Sequence, residues 1–139
     1  MKFYIASKYI ENHVINTEIY NVLKEKGYEV FLPESIDIDA KTNSEMYQVA
    51  EKCYDEINNA DILLAVFPFG FSVSAEIGFA ISIKRNMDKK MRLILFDNNS
   101  DKKNIEKLRG EAMINPYWDL VVSSVEELEL KIKEVICDV

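Results

Sequence analysis

The sequence predicts an α/β protein built on an open, five-stranded parallel sheet with helices on both faces. Short apolar segments alternate with longer amphipathic segments along the whole chain. The segment 61–67, DILLAVF, is apolar at successive positions, as a central parallel strand buried on both faces should be. A length of 139 residues suits a single domain, 1–139, with one core. Right-handed crossovers leave few topologies, and the flavodoxin-like strand order 2-1-3-4-5 is the natural one for this length.

The first half of the chain contains two predicted strands and two predicted helices. Residues 2–6 (KFYIA) form the first strand, and the helix after it ends at Gly27, a typical helix stop. Residues 28–32 (YEVFL) form the second strand, and the polar stretch 34–43 is predicted to be a surface loop. The second helix is indicated by apolar residues at helical spacing: Met46, Val49, Ala50, Cys53 and Ile57.

The second half repeats this pattern, with strands at 61–67, 91–96 and 120–122 and helices at 72–85, 101–109 and from Ser124 onward. The last helix begins with a predicted capping box, in which Ser124 and Glu127 satisfy each other's backbone amides. No repeat, low-complexity tract or linker interrupts the alternation, so we expect one domain.

The small counts of three residue types exclude several kinds of site. Four glycines leave neither G-x-G-x-x-G nor G-x-x-x-x-G-K, the two common glycine-rich phosphate loops. One histidine excludes a metal site with two histidine ligands, and His13 lies in a polar stretch where a solvated surface role is expected. Cys53 and Cys137 form no C-x-x-C motif and are expected to be buried, inert thiols. Chemistry must therefore come mainly from carboxylates, hydroxyls, amides and backbone groups.

Charge and hydropathy restrict the partners and the compartment. With 17 basic and 24 acidic residues, the formal charge is −7, which disfavours a nucleic-acid partner. No apolar run is long enough to span a membrane, and the N-terminus lacks a signal-peptide cleavage site. Free thiols indicate a reducing compartment, so we expect a cytoplasmic protein without a membrane partner.

The segment after the third predicted strand carries the most chemistry. In a sheet of this order the ligand crevice lies at the carboxyl ends of strands one and three, which directs attention to 6–9 and 67–76. Ser72 or Ser74 is predicted to cap the following helix, which puts Glu76 in its first turn, where the helix dipole favours the ionised carboxylate. Taken alone, such a glutamate is more often a capping residue. Gly78 inside this helix predicts a close approach to the first strand.

Four motifs occur in order along the chain: Phe3-Tyr4-Ile5-Ala6-Ser7, Ala60-Asp61-Ile62, Glu76-Ile77-Gly78-Phe79-Ala80 and Glu111-Ala112-Met113-Ile114. In order and spacing they resemble the nucleoside 2-deoxyribosyltransferase family and its relatives, the 2'-deoxynucleoside 5'-phosphate N-hydrolases. The resemblance covers nearly the whole chain and implies the cleavage or exchange of an N-glycosidic bond.

The resemblance also implies residue roles. Glu76 would attack the anomeric carbon and form a glycosyl-enzyme ester, Asp61 would assist protonation of the leaving base, and Tyr4 would position the nucleophile or the sugar. Glu111 and Met113 would match a segment donated by a neighbouring subunit, which implies a homodimer or a larger homo-oligomer. The mechanism needs no metal and no organic cofactor. Asp61, at a strand start after a helix, also has an ordinary interpretation as a turn residue.

The residues expected to bind the small-molecule substrate are Ala6, Ser7, Lys8, Phe69, Gly70, Ser72, Ser74, Glu111 and Met113. Lys8, Ser72, Ser74 and the helix-start amides are candidates for an anion site, so a nucleoside and a nucleotide are expected equally. Phe69, with its aromatic neighbours in the loop, is either a stacking wall for a base or a loop-packing residue.

Five positions differ from the family pattern. Two of them are Ser72 and Ser74, where the family commonly has glycine, and the other three leave the function open to alternatives. The transferases carry an aspartate where this chain has Gly70, many relatives carry an acid at the position of Cys53, and the family has Asn or Ser at the position of Glu111. These differences motivate a second hypothesis on the same fold, a non-catalytic nucleotide-binding or sensing module. A third hypothesis is a glycohydrolase acting on a dinucleotide such as NAD, whose glycosidic bond poses the same chemical problem.

Overall fold

The computed structural model describes residues 1–36, 40–86, 89–98 and 102–136, with only the backbone for 102–105. Five parallel strands form one sheet in the order β2-β1-β3-β4-β5. The strands are β1 (Lys2–Ala6), β2 (Glu29–Phe31), β3 (Ile62–Phe67), β4 (Arg92–Asp97) and β5 (Leu120–Val122). The predicted parallel sheet and its strand order are confirmed.

Five helices surround the sheet: α1 (His13–Glu25), α2 (Asn43–Asn59), α3 (Phe71–Asn86), α4 (Lys102–Arg109) and α5 (Val125–Ile136). Differences from the predicted bounds fall at the ends of elements, and the edge strand β2 is two residues shorter than expected. The predicted loop at 34–43 contains a short 3₁₀ turn, Pro33–Ser35, and its residues 37–39 lie outside the described part of the chain. Asp101 and Cys137 also lie outside it.

The sheet is covered on both faces because successive strand residues point to opposite sides. On one face Phe3 and Ile5 of β1 pack with the apolar stripes of α1 and α5. On the other face Tyr4 and Ala6 pack with α2 and α3. A smaller cluster beside β4 includes Leu108 of α4. This arrangement places the start of α3 directly beside the carboxyl ends of β1 and β3.

Two predictions about α3 are wrong. The helix begins at Phe71, so Ser72 and Ser74 lie inside its first turn and neither precedes it as a cap; Ser74 Oγ instead donates to the Gly70 carbonyl at 3.0 Å. Gly78 is exposed, and a Cβ atom there would meet nothing within 4 Å. The expected close approach of Gly78 to the first strand is therefore absent.

Capping explains two helix starts. Thr42 and Glu45 form a complete capping box at the start of α2, a T-x-x-E signal that the polar composition of 34–43 hid. At α5, Ser124 Oγ accepts from the Glu127 amide at 3.1 Å, as predicted. The Glu127 carboxylate accepts from the Ser123 amide at 2.8 Å, one residue earlier than expected. Within the described residues, no helix is long and apolar enough to cross a membrane.

Candidate active site

A cavity of about 1060 Å³ opens at the carboxyl ends of β1 and β3. Four parts of the chain enclose it: the loop 7–11 after β1, the segment around Pro33–Ile36, one face of α2, and the first two turns of α3. It occupies the point of the sheet where the chain crosses from β1 to β2 on one side and from β3 to β4 on the other. Parallel α/β sheets commonly bind ligands at this position.

Glu76, Tyr4 and Cys53 meet in this region. Glu76 comes from the second turn of α3, and the half-buried thiol of Cys53 comes from α2. Tyr4 comes from β1, and its ring is fully buried and stacks on Phe31 with centroids 5.5 Å apart. Tyr4 Oη and Glu76 Oε2 are buried and have no hydrogen-bond partner among the described residues. Buried polar atoms are rarely left unpaired, so both atoms are suited to bind a ligand.

Burial controls the protonation of this cluster. Burial raises the pKa of Glu76 from its usual 4.5 to about 7, while the neighbouring Tyr4 hydroxyl acts in the opposite direction. Burial, together with the Glu76 charge, raises the pKa of Tyr4, and burial also raises the pKa of Cys53. Tyr4 and Cys53 are therefore neutral near pH 7, whereas Glu76 titrates there.

The prediction that the helix dipole keeps Glu76 ionised is wrong in sign. α3 begins at Phe71, so Glu76 lies in its second turn. The influence of the dipole falls off within the first turn. Desolvation of the carboxylate is the larger effect, and the proton is held more tightly than in water.

The loop after β1 forms the polar edge of the cavity. Ser7 and Lys8 line it together with Gly70 and Ser72 from the start of α3, so the structure brings these four predicted substrate-binding residues to one cavity with Glu76. The Lys8 side chain lies against Gly70. A Cβ atom at residue 70 would be only 3.0 Å from Lys8 Cε, which is too close. Glycine at this position therefore leaves space for the lysine.

Asp61 is far from this cluster, and its predicted role in protonating a base is wrong. It precedes β3 at the amino end, and its Oδ2 accepts from the Lys2 amide at 2.8 Å. The rise of a strand puts it about 20 Å from Phe67 at the other end of β3. Its own amide and carbonyl bond to Lys2 and Arg92, the residues that begin the neighbouring strands. Asp61 is thus the turn residue of the ordinary interpretation.

Three further predicted binding residues lie outside the cavity lining. Ala6 is fully buried in the sheet beside Ala65. Phe69 packs against Phe67 and Trp118, with ring centroids 5.3 and 6.4 Å apart, so Phe69 is a loop-packing residue. Its loop neighbour Phe71 lines the cavity. Ser74 is exposed and bonded to its own helix start.

Glu111 and Met113 lie in the turn after α4 and do not line the cavity of their own chain. Both side chains are exposed, Met113 to 80%. In the described part of a single chain, no hydrogen bond or ion pair connects either residue to Glu76.

Sequence reasoning missed the wall that α2 contributes. Met46, Val49, Ala50, Cys53 and Tyr54 line the cavity from this helix. Their helical spacing was the only signal, and it predicts a core-facing stripe equally well. Cys53 is therefore half-buried beside Tyr4, not an isolated core thiol. His13 is exposed as predicted, with Nδ1 3.2 Å from Glu34 Oε2.

The architecture is similar to that of solved nucleoside-processing enzymes. A 2-deoxyribosyltransferase from Bacillus psychrosaccharolyticus has a TM-score of 0.71 and 19% identity, over 93% of this chain and 90% of that one. The 2-desoxiribosyltransferase from Leishmania mexicana has a TM-score of 0.59 and 17% identity, over 95% and 97%. A conserved protein from Enterococcus faecalis V583 has a TM-score of 0.66 and 21% identity, over 97% and 98%.

These likenesses show that the chain has the deoxyribosyltransferase fold along nearly its whole length. No protein-family model and no curated protein matches the sequence.

Proposed function

We propose that this protein cleaves or exchanges the N-glycosidic bond of a nucleoside or nucleoside monophosphate, with Glu76 as the nucleophile. One observation carries the proposal: Glu76, which has a buried and unpaired carboxylate oxygen, lines a cavity at the ligand-binding edge of the sheet, with the buried hydroxyl of Tyr4 next to it. The fold it shares with two deoxyribosyltransferases supports the same chemistry. The sequence motif around Glu76 supports it independently.

In the proposed reaction, a Glu76 carboxylate oxygen attacks the anomeric carbon of the sugar. The electrons of the carbon–nitrogen bond pass to the base, which leaves with a proton taken from solvent, since Asp61 is out of reach. The resulting glycosyl ester is then opened by water, which makes the protein a hydrolase, or by a second base, which makes it a transferase. Neither step requires a metal or an organic cofactor.

The residues around Glu76 divide the remaining tasks. Tyr4 lowers the pKa of Glu76 and so favours the ionised carboxylate. The apolar face of α2 provides a surface for the planar base, and the β1 loop with Lys8 provides the polar surface for the sugar or its phosphate.

The proposal is tested by incubating the protein with nucleosides, nucleoside monophosphates and NAD and measuring the released base by chromatography. A second free base added to the mixture separates transfer from hydrolysis, because only a transferase forms the new nucleoside. Tight binding without release of base would replace the enzyme with the nucleotide-binding module, and release from NAD alone would make it a glycohydrolase of dinucleotides.

Lys8 is expected to distinguish a monophosphate from a nucleoside. Among the described residues of the cavity lining, Lys8 is the one lysine or arginine. No described residue pairs with its ammonium group. If the substrate carries a phosphate, Lys8→Met should raise KM for the monophosphate about tenfold, the value of one charge-assisted hydrogen bond. KM for the matching nucleoside should not change. Lys24→Met, at the far end of α1, is the control, and equal effects on both substrates would exclude a phosphate at Lys8.

We also propose that the active form is a homo-oligomer. The exposure of Glu111, Met113 and Phe71, the last to 99%, supports a contact between copies of the chain. Sedimentation equilibrium should give a dimer or larger species, and Met113→Asp should dissociate it and lower the rate of base release. A fully active monomer would exclude a contribution from a neighbouring subunit.

A further inference from the structure

Asn12 occupies the position of a helix cap but does not cap its helix. It immediately precedes α1, and asparagine there usually accepts a hydrogen bond from an amide of the first turn, which stabilises the helix. The Asn12 side chain makes no such bond. Its Nδ2 donates instead to Ser7 Oγ at 3.1 Å, across the loop that edges the cavity. Asn12 is 3% exposed, so water does not compete strongly for this bond.

This bond fixes the direction of the Ser7 hydroxyl. A hydroxyl has one proton to donate and two lone pairs to accept with, whereas an amide nitrogen only donates. Ser7 Oγ must therefore face Asn12 as an acceptor, and its own proton points elsewhere. Among the described residues, the one acceptor for that proton is the Lys8 carbonyl at 3.4 Å, far longer than an ordinary hydroxyl hydrogen bond.

The Lys8 carbonyl is also bonded by other groups. It accepts a hydrogen bond from the backbone amide of Asn12 at 3.1 Å and another from the side-chain Nδ2 of Asn16 at 3.5 Å. Asn12 and Asn16 are both buried, and their hydrogen bonds fix the loop on the side that faces the protein interior. Ser7 and Lys8 line the cavity on the other side of the loop. The Ser7 proton is thus free for an acceptor in the cavity.

We propose that Asn12 is a positioning residue, which makes Ser7 a hydrogen-bond donor to an acceptor oxygen of the substrate. The oxygen belongs to a sugar hydroxyl or a phosphate, the two acceptors that a nucleoside or nucleotide presents at this edge. The inference rests on the proposed function, because it needs a substrate in this cavity. It assigns Asn12 no contact with the substrate itself.

Asn12→Asp tests the assignment with a variant of nearly equal shape. The new carboxylate is almost fully buried, so its desolvation should lower the melting temperature, while the dipole of α1 and the Ser7 proton offset part of the loss. A single cooperative melting transition shows that the variant folds. A carboxylate only accepts, so the Ser7 proton turns toward it and away from the substrate. We expect KM to rise about fivefold with kcat unchanged, because a hydrogen bond to a non-reacting oxygen is uniform binding.

Ser7→Ala separates this effect from the added negative charge. Ser7→Ala alone should raise KM by the same factor, and Asn12→Asp/Ser7→Ala should equal Ser7→Ala. If Asn12→Asp acted through its charge, it would raise KM further in the Ser7→Ala protein, and that result would overturn the proposal. Wild-type KM in Asn12→Asp would overturn it as well.

The failure of this inference is distinguishable from the failure of the proposed function. Base release by the wild type with unchanged KM in Asn12→Asp removes only the role of Asn12. If the wild type releases no base, calorimetric titration with the same nucleosides and monophosphates decides. A fivefold weaker Kd in Asn12→Asp then supports the role of Asn12, and an unchanged Kd, or no binding by the wild type, rejects it.

Discussion

Replacing Glu76 with glutamine is expected to reduce kcat for base release by at least about three orders of magnitude, as removal of a covalent nucleophile does in other enzymes. The amide has nearly the shape of the carboxylate but cannot form the glycosyl ester. Substrate binding should persist, because glutamine keeps an oxygen at the same place in the cavity. Chromatographic assay of base release and calorimetric titration of the same substrate measure the two effects separately.

Asp61→Ala is the matched control, since it also removes a carboxylate from one of the four motifs. The loss of its hydrogen bond to the Lys2 amide should destabilise the fold by about 1–2 kcal/mol and leave kcat unchanged. Equal losses of kcat in Glu76→Gln and Asp61→Ala would contradict the assignment of the nucleophile, as would wild-type turnover by Glu76→Gln.

The raised pKa of Glu76 also predicts how the activity depends on pH. Only the ionised carboxylate is a nucleophile, so kcat/KM should rise about tenfold per pH unit below pH 7 and level off above it. A profile that stayed flat down to pH 5 would contradict a nucleophile with a pKa of about 7.

The free energy of unfolding should fall as pH rises, whereas kcat/KM rises. Because the folded pKa, about 7, exceeds the usual 4.5, the folded protein binds the proton more tightly than the unfolded chain. Tighter proton binding adds about 3 kcal/mol to the free energy of unfolding. This stabilisation is complete below the unfolded pKa and is lost as pH rises through 7. The stability of Glu76→Gln relative to the wild type, from urea unfolding, should therefore increase between pH 5 and pH 8.

The fold could be predicted because its main signal is local. Buried parallel strands such as 61–67 are continuously apolar, the helices have one apolar stripe each, and right-handed crossovers determine the remaining topology. Element ends were less accurate because they depend on caps. Thr42 and Glu45 begin α2 inside a stretch whose polar composition indicates a loop.

The site could be predicted only in part, since a motif does not say at which end of a strand its residues act. Ser7 and Gly70 follow β1 and β3, so strand polarity alone brings them to the cavity. Asp61 belongs to an equally clear motif, but it precedes its strand and lies at the opposite edge. Cys53 shows a further difficulty, because an apolar helix stripe has the same period whether it faces the core or a cavity.

Tyr4→Phe is expected to reduce base release at pH 7 by about one to two orders of magnitude without harming the fold. The hydroxyl opposes the rise of the Glu76 pKa, so its removal should move that pKa further upward. At pH 7 a smaller fraction of Glu76 would then be ionised. The Phe ring keeps its stacking on Phe31, and a buried hydroxyl without a partner is removed, so the melting temperature should not fall.

The pH profile of this variant separates two roles of Tyr4. If the hydroxyl acts through the pKa of Glu76, the midpoint of the Tyr4→Phe profile moves to higher pH, and most of the lost activity returns near pH 9. Tyr28→Phe is the control, because Tyr28 packs against Phe3 on the other face of the sheet and its removal should leave the midpoint in place. A loss that is equal at all pH values would contradict the electrostatic role, and Tyr4 would then act by holding the sugar.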